Sequence, residues 1–241
     1  MSTEIIHFET WIECNKQDLQ PPVCNKMLHN DQLKAFIVGG PNIRKDYHLN
    51  EGEEIVEKGV RKDVHIKEGQ VFLLPGRIPH SPQRYADTFG LVIEREREKH
   101  EMDALRYYVD DTSQEILFER WFHCEDLGTQ LAPIIREFFN SEEFKSGKPK
   151  GDSVNPTPPW SPNDEITVQN AFSLREWIED RREKIIKNGF LPLFPGDYTS
   201  QVIVFGPGSH RVNYADCDTF LMQLVSLITV LSFTSFSSTK Q

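Results

Sequence analysis

The chain has no pair of closely spaced cysteines and no long apolar run, and each absence excludes a class of protein. It has four widely separated cysteines in 241 residues, Cys14, Cys24, Cys124 and Cys217, so it offers no CxxC pair for a structural zinc or iron–sulfur site. No run of about 18 apolar residues is present to form a membrane helix. The first residues are acidic and only partly apolar, unlike a signal peptide. We therefore expect a reduced, cytoplasmic (cytosolic) protein without a membrane partner.

Positive charge is also scarce. Lys and Arg number 27 against 37 Asp and Glu, which gives a net charge of -10. Nucleic-acid binding depends on Lys and Arg contacts to phosphate, so we expect no nucleic-acid partner. The same charge repels anions at long range, so a site for an anionic substrate must be built from local arginines.

Short strands broken by turns are the main pattern from Arg44 to Gly90. This pattern is typical of an antiparallel sandwich or barrel. Just before it, the apolar segment LKAFIVGGPN predicts a strand that ends in a Gly-Gly-Pro turn. We also predict two strands around the turn at Glu68-Gly69, and a further strand at FGLVIERER.

Helices are predicted at three places. The first covers residues 4 to 16, and the second covers GTQLAPIIREFFNSEEF. The third begins at Ser173, which forms a capping box with Glu176, and ends at Asn188-Gly189. After it we predict strands at TSQVIVFGPGSHR and DTFLMQL, and then an apolar, Ser/Thr-rich tail without partners.

A proline-rich stretch divides the chain. The segment SGKPKGDSVNPTPPWSPND has five prolines and few apolar residues, which predicts an extended linker. We therefore predict a first domain at residues 1–147, a linker at 148–165 and a second domain at 166–241.

Candidate metal ligands are concentrated between Pro41 and His80. His48, Glu54 and His80 provide two imidazoles and one carboxylate. A mononuclear non-haem iron(II) centre uses this set and leaves neighbouring positions open for substrate and dioxygen.

The arrangement of these residues resembles the two metal-binding motifs of the cupin superfamily. The first motif is His48-x-Asn50-x3-Glu54, and the second is Pro75-x4-His80. Further segments between residues 5 and 222 resemble the 3-hydroxyanthranilate 3,4-dioxygenase family, in its animal form: PPVCNK, GGPNIRKDYH, EGEE, IPHSPQR, GLVIERE, LRYYV and DLGTQLAPII. This resemblance implies a mainly β protein, a cupin (double-stranded β-helix or jelly-roll barrel) with a second, incomplete cupin-like domain and a few short helices.

The resemblance also implies a cofactor and a reaction. Fe(2+) would be bound by His48, Glu54 and His80, and Glu54 would also lie beside the substrate. Glu51 and Glu53 are then better explained as a solvated acidic turn. The implied enzyme is a monomer that converts 3-hydroxyanthranilate and dioxygen to 2-amino-3-carboxymuconate semialdehyde, on the way to quinolinate and NAD.

Four further residues match positions around the family's substrate. Arg44 and Arg84 match those that bind its carboxylate, a task for which the two-pronged guanidinium is suited. Glu94 matches an acidic residue at the substrate's hydroxyl or amine, where it would act as a base; the alternative is a surface glutamate at a strand end. Asn25 matches a residue near the pocket, and the alternative is a turn-forming asparagine.

Two features depart from the family pattern. Glu54 and His80 are 26 residues apart, about a dozen fewer than in the family, which is the length of one strand and its turn. The resemblance also ends near Gln223, so we expect the second barrel to be incomplete. The alternative function is a catalytically inactive cupin variant that binds ligand or partner without turnover.

Overall fold

A computed structural model describes residues 5–21, 24–42, 44–49, 60–163, 165–196, 198–212 and 217–224. In these ranges the strands are β1 (Asn25–Asn30), β2 (Leu33–Gly39), β3 (Tyr47–Leu49), β4 (Gln70–Val71), β5 (Phe89–Arg95), β6 (Asp103–Tyr108), β7 (Ile116–Phe122), β8 (Phe172–Ser173), β9 (Phe190–Pro192) and β10 (Ile203–Phe205). The helices are α1 (Phe8–Asn15), α2 (Leu127–Asn140), α3 (Glu142–Ser146), α4 (Leu174–Asp180) and α5 (Arg182–Asn188), and a 3-10 turn follows α1 at Lys16–Asp18. The protein is therefore mainly β, with short helices, as the sequence predicts.

The first sheet is antiparallel, with strand order β1-β2-β5. Its central strand β2 is a nearly continuous apolar run, and Ala35, Phe36 and Ile37 are buried. A Cβ at Gly39 would lie 2.9 Å from the Cβ of Leu19. The end of β2 therefore requires glycine where the segment after α1 crosses it.

The second sheet is antiparallel, with strand order β3-β6-β7. Leu105 and Phe118 on the β6–β7 hairpin are fully buried against α2. The apolar face of α2 repeats every three to four residues at Leu131, Ile135 and Phe138, so one helical face covers one face of the hairpin.

Helices α4 and α5 follow strand β8. The Ser173 hydroxyl accepts the Glu176 amide at 3.2 Å and caps α4, and Gly189 ends α5 in the left-handed conformation. Both predicted ends are confirmed, but the single predicted helix is divided at Arg181 into α4 and α5. The chain then forms the β9–β10 pair, which packs on Ile185.

Two contacts cross the predicted linker, and the domain boundaries at 148 and 165 stay a prediction. Strand β4 pairs with β8, with Gln70 opposite Ser173. Trp160 is buried with Leu49 and Ala104, and its indole N–H donates to the Met102 carbonyl at 2.8 Å. The proline-rich segment is thus held against the second sheet.

Other expectations for individual segments had mixed outcomes. The strands at LKAFIVGGPN and FGLVIERER are confirmed as β2 and β5, and the first two helices as α1 and α2. Only β4 follows the Glu68-Gly69 turn, and no strand precedes it in residues 61–67. The strand predicted at DTFLMQL is wrong, because the described residues 218–224 are irregular. The hairpin β6–β7 was not predicted.

No helix in the described part of the chain is both long enough and apolar enough to cross a membrane.

Candidate active site

The two predicted histidine ligands lie opposite each other on adjacent extended segments. His48 in β3 and His80 form an antiparallel bridge, in which the His48 amide donates to the His80 carbonyl at 2.8 Å and the reverse bond is 3.0 Å. Their ring centroids are 5.3 Å apart. Two imidazoles that share one ion, with metal–nitrogen distances of about 2.1 Å, have centroids about 4.5–6.5 Å apart. The separation therefore fits a shared metal.

One nitrogen of each ring already has an oxygen partner. His48 Nε2 lies 3.0 Å from a carboxylate oxygen of the buried Asp103, and His80 Nδ1 lies 2.9 Å from the His48 carbonyl oxygen. Metal-bound histidines characteristically donate their second ring N–H to a carboxylate or a carbonyl. The remaining nitrogen of each ring is then the one that a metal would take.

The electrostatic surroundings of His80 favour its neutral form. Burial lowers the pKa of His80 well below its ordinary value, and the nearby His48, Arg84 and Arg44 lower it further. A neutral imidazole is the form that binds metal, because the ligating lone pair must be unprotonated.

The residues present thus fit a metal as far as they are described. The predicted third ligand, Glu54, lies outside the described residues, as do Asn50, Glu51 and Glu53. In the described ranges no group of three or more His, Cys, Asp and Glu side chains could hold a metal ion. The two histidines are brought together, and the position of the carboxylate stays a prediction.

The same strand pairing places Arg44 near Arg84. Asn42 pairs with Arg84 and His48 pairs with His80, so the two segments run antiparallel. Each arginine is four residues from its histidine, in opposite chain directions. Antiparallel pairing therefore puts both histidines at one end of the ladder and both arginines at the other.

The two guanidinium groups are crowded and incompletely bonded. The buried Nε and Nη1 of Arg44 have no hydrogen-bond partner among the described residues, although Asp46 Oδ1 lies 3.3 Å from the Nε. Arg84 Nε donates to the Gly39 carbonyl at 3.0 Å. Burial lowers the pKa of Arg84 to about 10, and the charge of Arg44 acts in the same direction. Unmet buried donors and two neighbouring positive charges are the setting that an anion would stabilise.

Glu94 and Asn25 line a common cavity of about 210 Å³, together with Lys34, Phe36 and Cys124. Asn25 begins β1, and a Cβ at Gly128 would lie 3.1 Å from its side-chain oxygen, so the first turn of α2 approaches it closely. The structure therefore places Asn25 at the start of a strand and brings it to the same cavity as Glu94. Neither histidine lines this cavity.

Sequence reasoning missed two charged residues, Arg97 and Asp103. Both are buried, and they connect Glu94 with His48. Their sequence signal was weak: Arg97 belongs to the run ERERE, which looks like a solvated strand end, and Asp103 is one carboxylate among many.

A family model described as 3-hydroxyanthranilic acid dioxygenase matches residues 1–139. The chain is also 48% identical over 231 residues to the 3-hydroxyanthranilate 3,4-dioxygenase of Rattus norvegicus, covering 91% of this chain and 80% of that protein. For the Xenopus laevis protein of that name the identity is 50%, with 91% and 81% covered. For the Homo sapiens protein it is 46%, with 89% and 78% covered. The chain belongs to this family.

Membership in the 3-hydroxyanthranilate dioxygenase family confirms the recognition made from the sequence motifs, and with it the mainly β cupin class. The alignment also agrees with a shortened chain. A share of 91% of 241 residues is about 219, so about a dozen of the 231 positions aligned with the rat protein have no residue here.

Proposed function

We propose that this chain is an extradiol-type ring-cleaving dioxygenase that converts 3-hydroxyanthranilate and dioxygen to 2-amino-3-carboxymuconate semialdehyde. The observation that supports the proposal is a pair of antiparallel bridges, Asn42 with Arg84 and His48 with His80. The two histidines lie together at one bridge, and Arg44 and Arg84 lie towards the other. This polarity matches a substrate that has metal-chelating groups and a carboxylate on one aromatic ring.

The cofactor we propose is Fe(2+), held by His48, His80 and Glu54. Iron(II), when bound, supplies adjacent open positions for the substrate's hydroxyl and amino groups and for dioxygen. The chain's own residues fix the substrate. Arg44 and Arg84 would bind its carboxylate through paired charge-assisted hydrogen bonds.

Glu94 is proposed as the base that takes the proton of the ring hydroxyl, which makes the ring a better electron donor. Asn25, across the same cavity, would contact the substrate or exclude water beside it. The cavity is lined by both residues, which supports a shared role.

The test is turnover by purified protein loaded anaerobically with Fe(II), followed by substrate and oxygen. We expect oxygen uptake and semialdehyde absorbance, and we expect both to be lost in His48→Ala and His80→Ala. His100→Ala is the control, because His100 is exposed and paired only with Glu98 at 3.6 Å among its described ion contacts.

The competing function is an inactive cupin variant that binds without turnover. Substrate-induced thermal stabilisation with no product from the iron-loaded protein would favour it and reject the catalytic proposal. We also propose that the protein acts as a monomer in the cytosol, without nucleic acid, and light scattering on the same preparation checks the first point.

A further inference from the structure

Four polar side chains form a continuous line from the cavity to the histidine pair. Arg97 Nη2 lies 3.2 Å from Glu94 Oε2, and Arg97 Nε donates to Asp103 Oδ1 at 3.0 Å. The other oxygen of Asp103 lies 3.0 Å from His48 Nε2. Each neighbour in the line is therefore within hydrogen-bond or ion-pair distance.

This line joins the two three-stranded sheets. Glu94 lies on β5 of the first sheet, and Arg97 follows two residues after that strand ends. Asp103 begins β6 and His48 lies on β3, both in the second sheet. The proposed base and the proposed metal ligand thus come from different sheets, and the Arg97–Asp103 pair sets one relative to the other.

The central pair is protected from water. The side chains of Arg97 and Asp103 are 2% and 0% exposed. Burial by itself lowers the pKa of Arg97, but the carboxylates of Glu94 and Asp103 outweigh it and the pKa is raised. Arg97 and Asp103 form an ion pair at 3.0 Å, and each needs the other because an unpaired buried charge is costly.

We propose that Arg97 and Asp103 are positioning residues of this site. Asp103 fixes the ring orientation and tautomer of His48 for metal binding, and Arg97 holds both Asp103 and Glu94 in place. The part that concerns Glu94 rests on the proposed ring cleavage, whereas the part that concerns His48 rests on metal binding alone.

Asp103→Asn tests whether Asp103 positions the His48 ring for metal binding. Asparagine keeps the shape and one acceptor oxygen but removes the charge that orients the imidazole. Loss of such an outer partner typically lowers metal affinity about 10- to 100-fold. We expect a decrease of this size in Fe(II) affinity, measured anaerobically by competition with a chromogenic chelator.

Arg97→Gln tests the link to Glu94. We expect a lower kcat with a nearly unchanged KM for the substrate, because the arginine pair that would bind the carboxylate is not altered. We also expect Fe(II) affinity to fall, because Asp103 loses its partner.

The matched control is Arg106→Gln. Arg106 is similarly buried and forms an ion pair with Glu119 on the neighbouring strand β7, but it is outside the line from Glu94 to His48. This variant should lower the thermal midpoint while the folded protein keeps its Fe(II) affinity and its kcat.

The outcomes separate the inference from the proposed function. Native Fe(II) affinity in both Asp103→Asn and Arg97→Gln would overturn the inference. An equally large fall in Fe(II) affinity in Arg106→Gln would also overturn it. If wild-type protein binds Fe(II) without turnover, the ring-cleavage proposal fails, and the affinities of these variants still decide the role of Asp103.

Discussion

At the residue scale, the pair Arg44 and Arg84 includes buried hydrogen-bond donors that no described residue satisfies. Most buried polar groups in proteins have hydrogen-bond partners, yet two buried nitrogens of Arg44 have none among the described residues. Burial lowers the pKa of Arg84 to about 10, and the nearby charge of Arg44 acts in the same direction. A bound carboxylate would provide acceptors for these donors and offset the repulsion, which supports the proposed carboxylate-binding role of the pair.

Replacing either arginine by alanine should therefore weaken substrate binding more than it slows chemistry. A hydrogen bond to a charged group contributes about 1.5–3 kcal/mol, so we expect Arg44→Ala and Arg84→Ala to raise KM about 10- to 150-fold. Steady-state oxygen uptake with varied 3-hydroxyanthranilate measures the effect.

The control substrate is 2-aminophenol, which lacks the carboxylate, and its KM should be nearly the same in wild type and variants. The control variant is Arg61→Ala, since Arg61 is exposed and paired with Asp63. An equal rise in KM for both substrates would mean that the arginines do not bind the carboxylate.

Sequence motifs predict the residues proposed to bind substrate or metal better than the residues that position them. His48, His80, Arg44 and Arg84 stand in local patterns of fixed spacing, and the structure brings each pair together. The partners Arg97 and Asp103 show no such pattern, because their roles arise only when the end of β5 meets the start of β6. No local pattern in the chain encodes that contact.

At the element scale, the same distinction appears in the strands. The strand β2 is apolar and ends in glycine and proline, so its sequence identifies it. The β6–β7 hairpin escaped prediction because charged residues interrupt it, among them Arg106 and Glu119. Arg106 Nε donates to Glu119 Oε1 across the hairpin at 2.8 Å. Burial of the two charges therefore depends on the pairing of β6 with β7, which the sequence of neither strand indicates by itself.

The described segment at residues 217–224 is bound to the β1–β2 turn through Asp218. Its carboxylate lies 2.9 Å from His29 Nε2 and accepts the Leu33 amide at 3.0 Å. The hydrogen bond from His29, and next that from the Leu33 amide, hold the pKa of Asp218 below its ordinary value.

A carboxyl group with a lowered folded-state pKa stabilises the fold above its unfolded pKa of about 3.9, and the stabilisation is lost as the pH falls through the folded value. We therefore expect the Leu33 amide to lose hydrogen-exchange protection below about pH 4. In Asp218→Asn this acid-dependent step should be absent. Asp31→Asn, an exposed carboxylate of the same turn, should leave it unchanged, and a step that persists in Asp218→Asn would contradict the assignment.

At the scale of the whole molecule, contacts cross the proline-rich segment between the two predicted domains. Strand β4 pairs with β8 across it, and Trp160 within it is buried. Composition alone predicts a solvated linker there, because prolines and polar residues outnumber apolar ones. The contacts made by one large aromatic side chain are not visible in that count.

These contacts predict a single cooperative unfolding transition. If both parts unfold together, the calorimetric and van't Hoff enthalpies should agree. Differential scanning calorimetry measures both values. Trp160→Ala, which removes the buried indole, should split the unfolding transition in two or broaden it. Trp11→Ala on the N-terminal helix should leave a single transition of unchanged width. Two resolved transitions in the wild type would show that the domains are independent.

The burial of Trp160 also gives the protein an optical probe of its own site. Its indole lies edge-on to Trp121, with ring centroids 5.0 Å apart, and it is bonded to the carbonyl of Met102, one residue before Asp103. Any shift of the start of β6 changes the distance and the polarity sensed by both indoles. With Trp11 and Trp177 replaced, the emission of this tryptophan pair should report, without an added label, on the strand that holds the partner of His48.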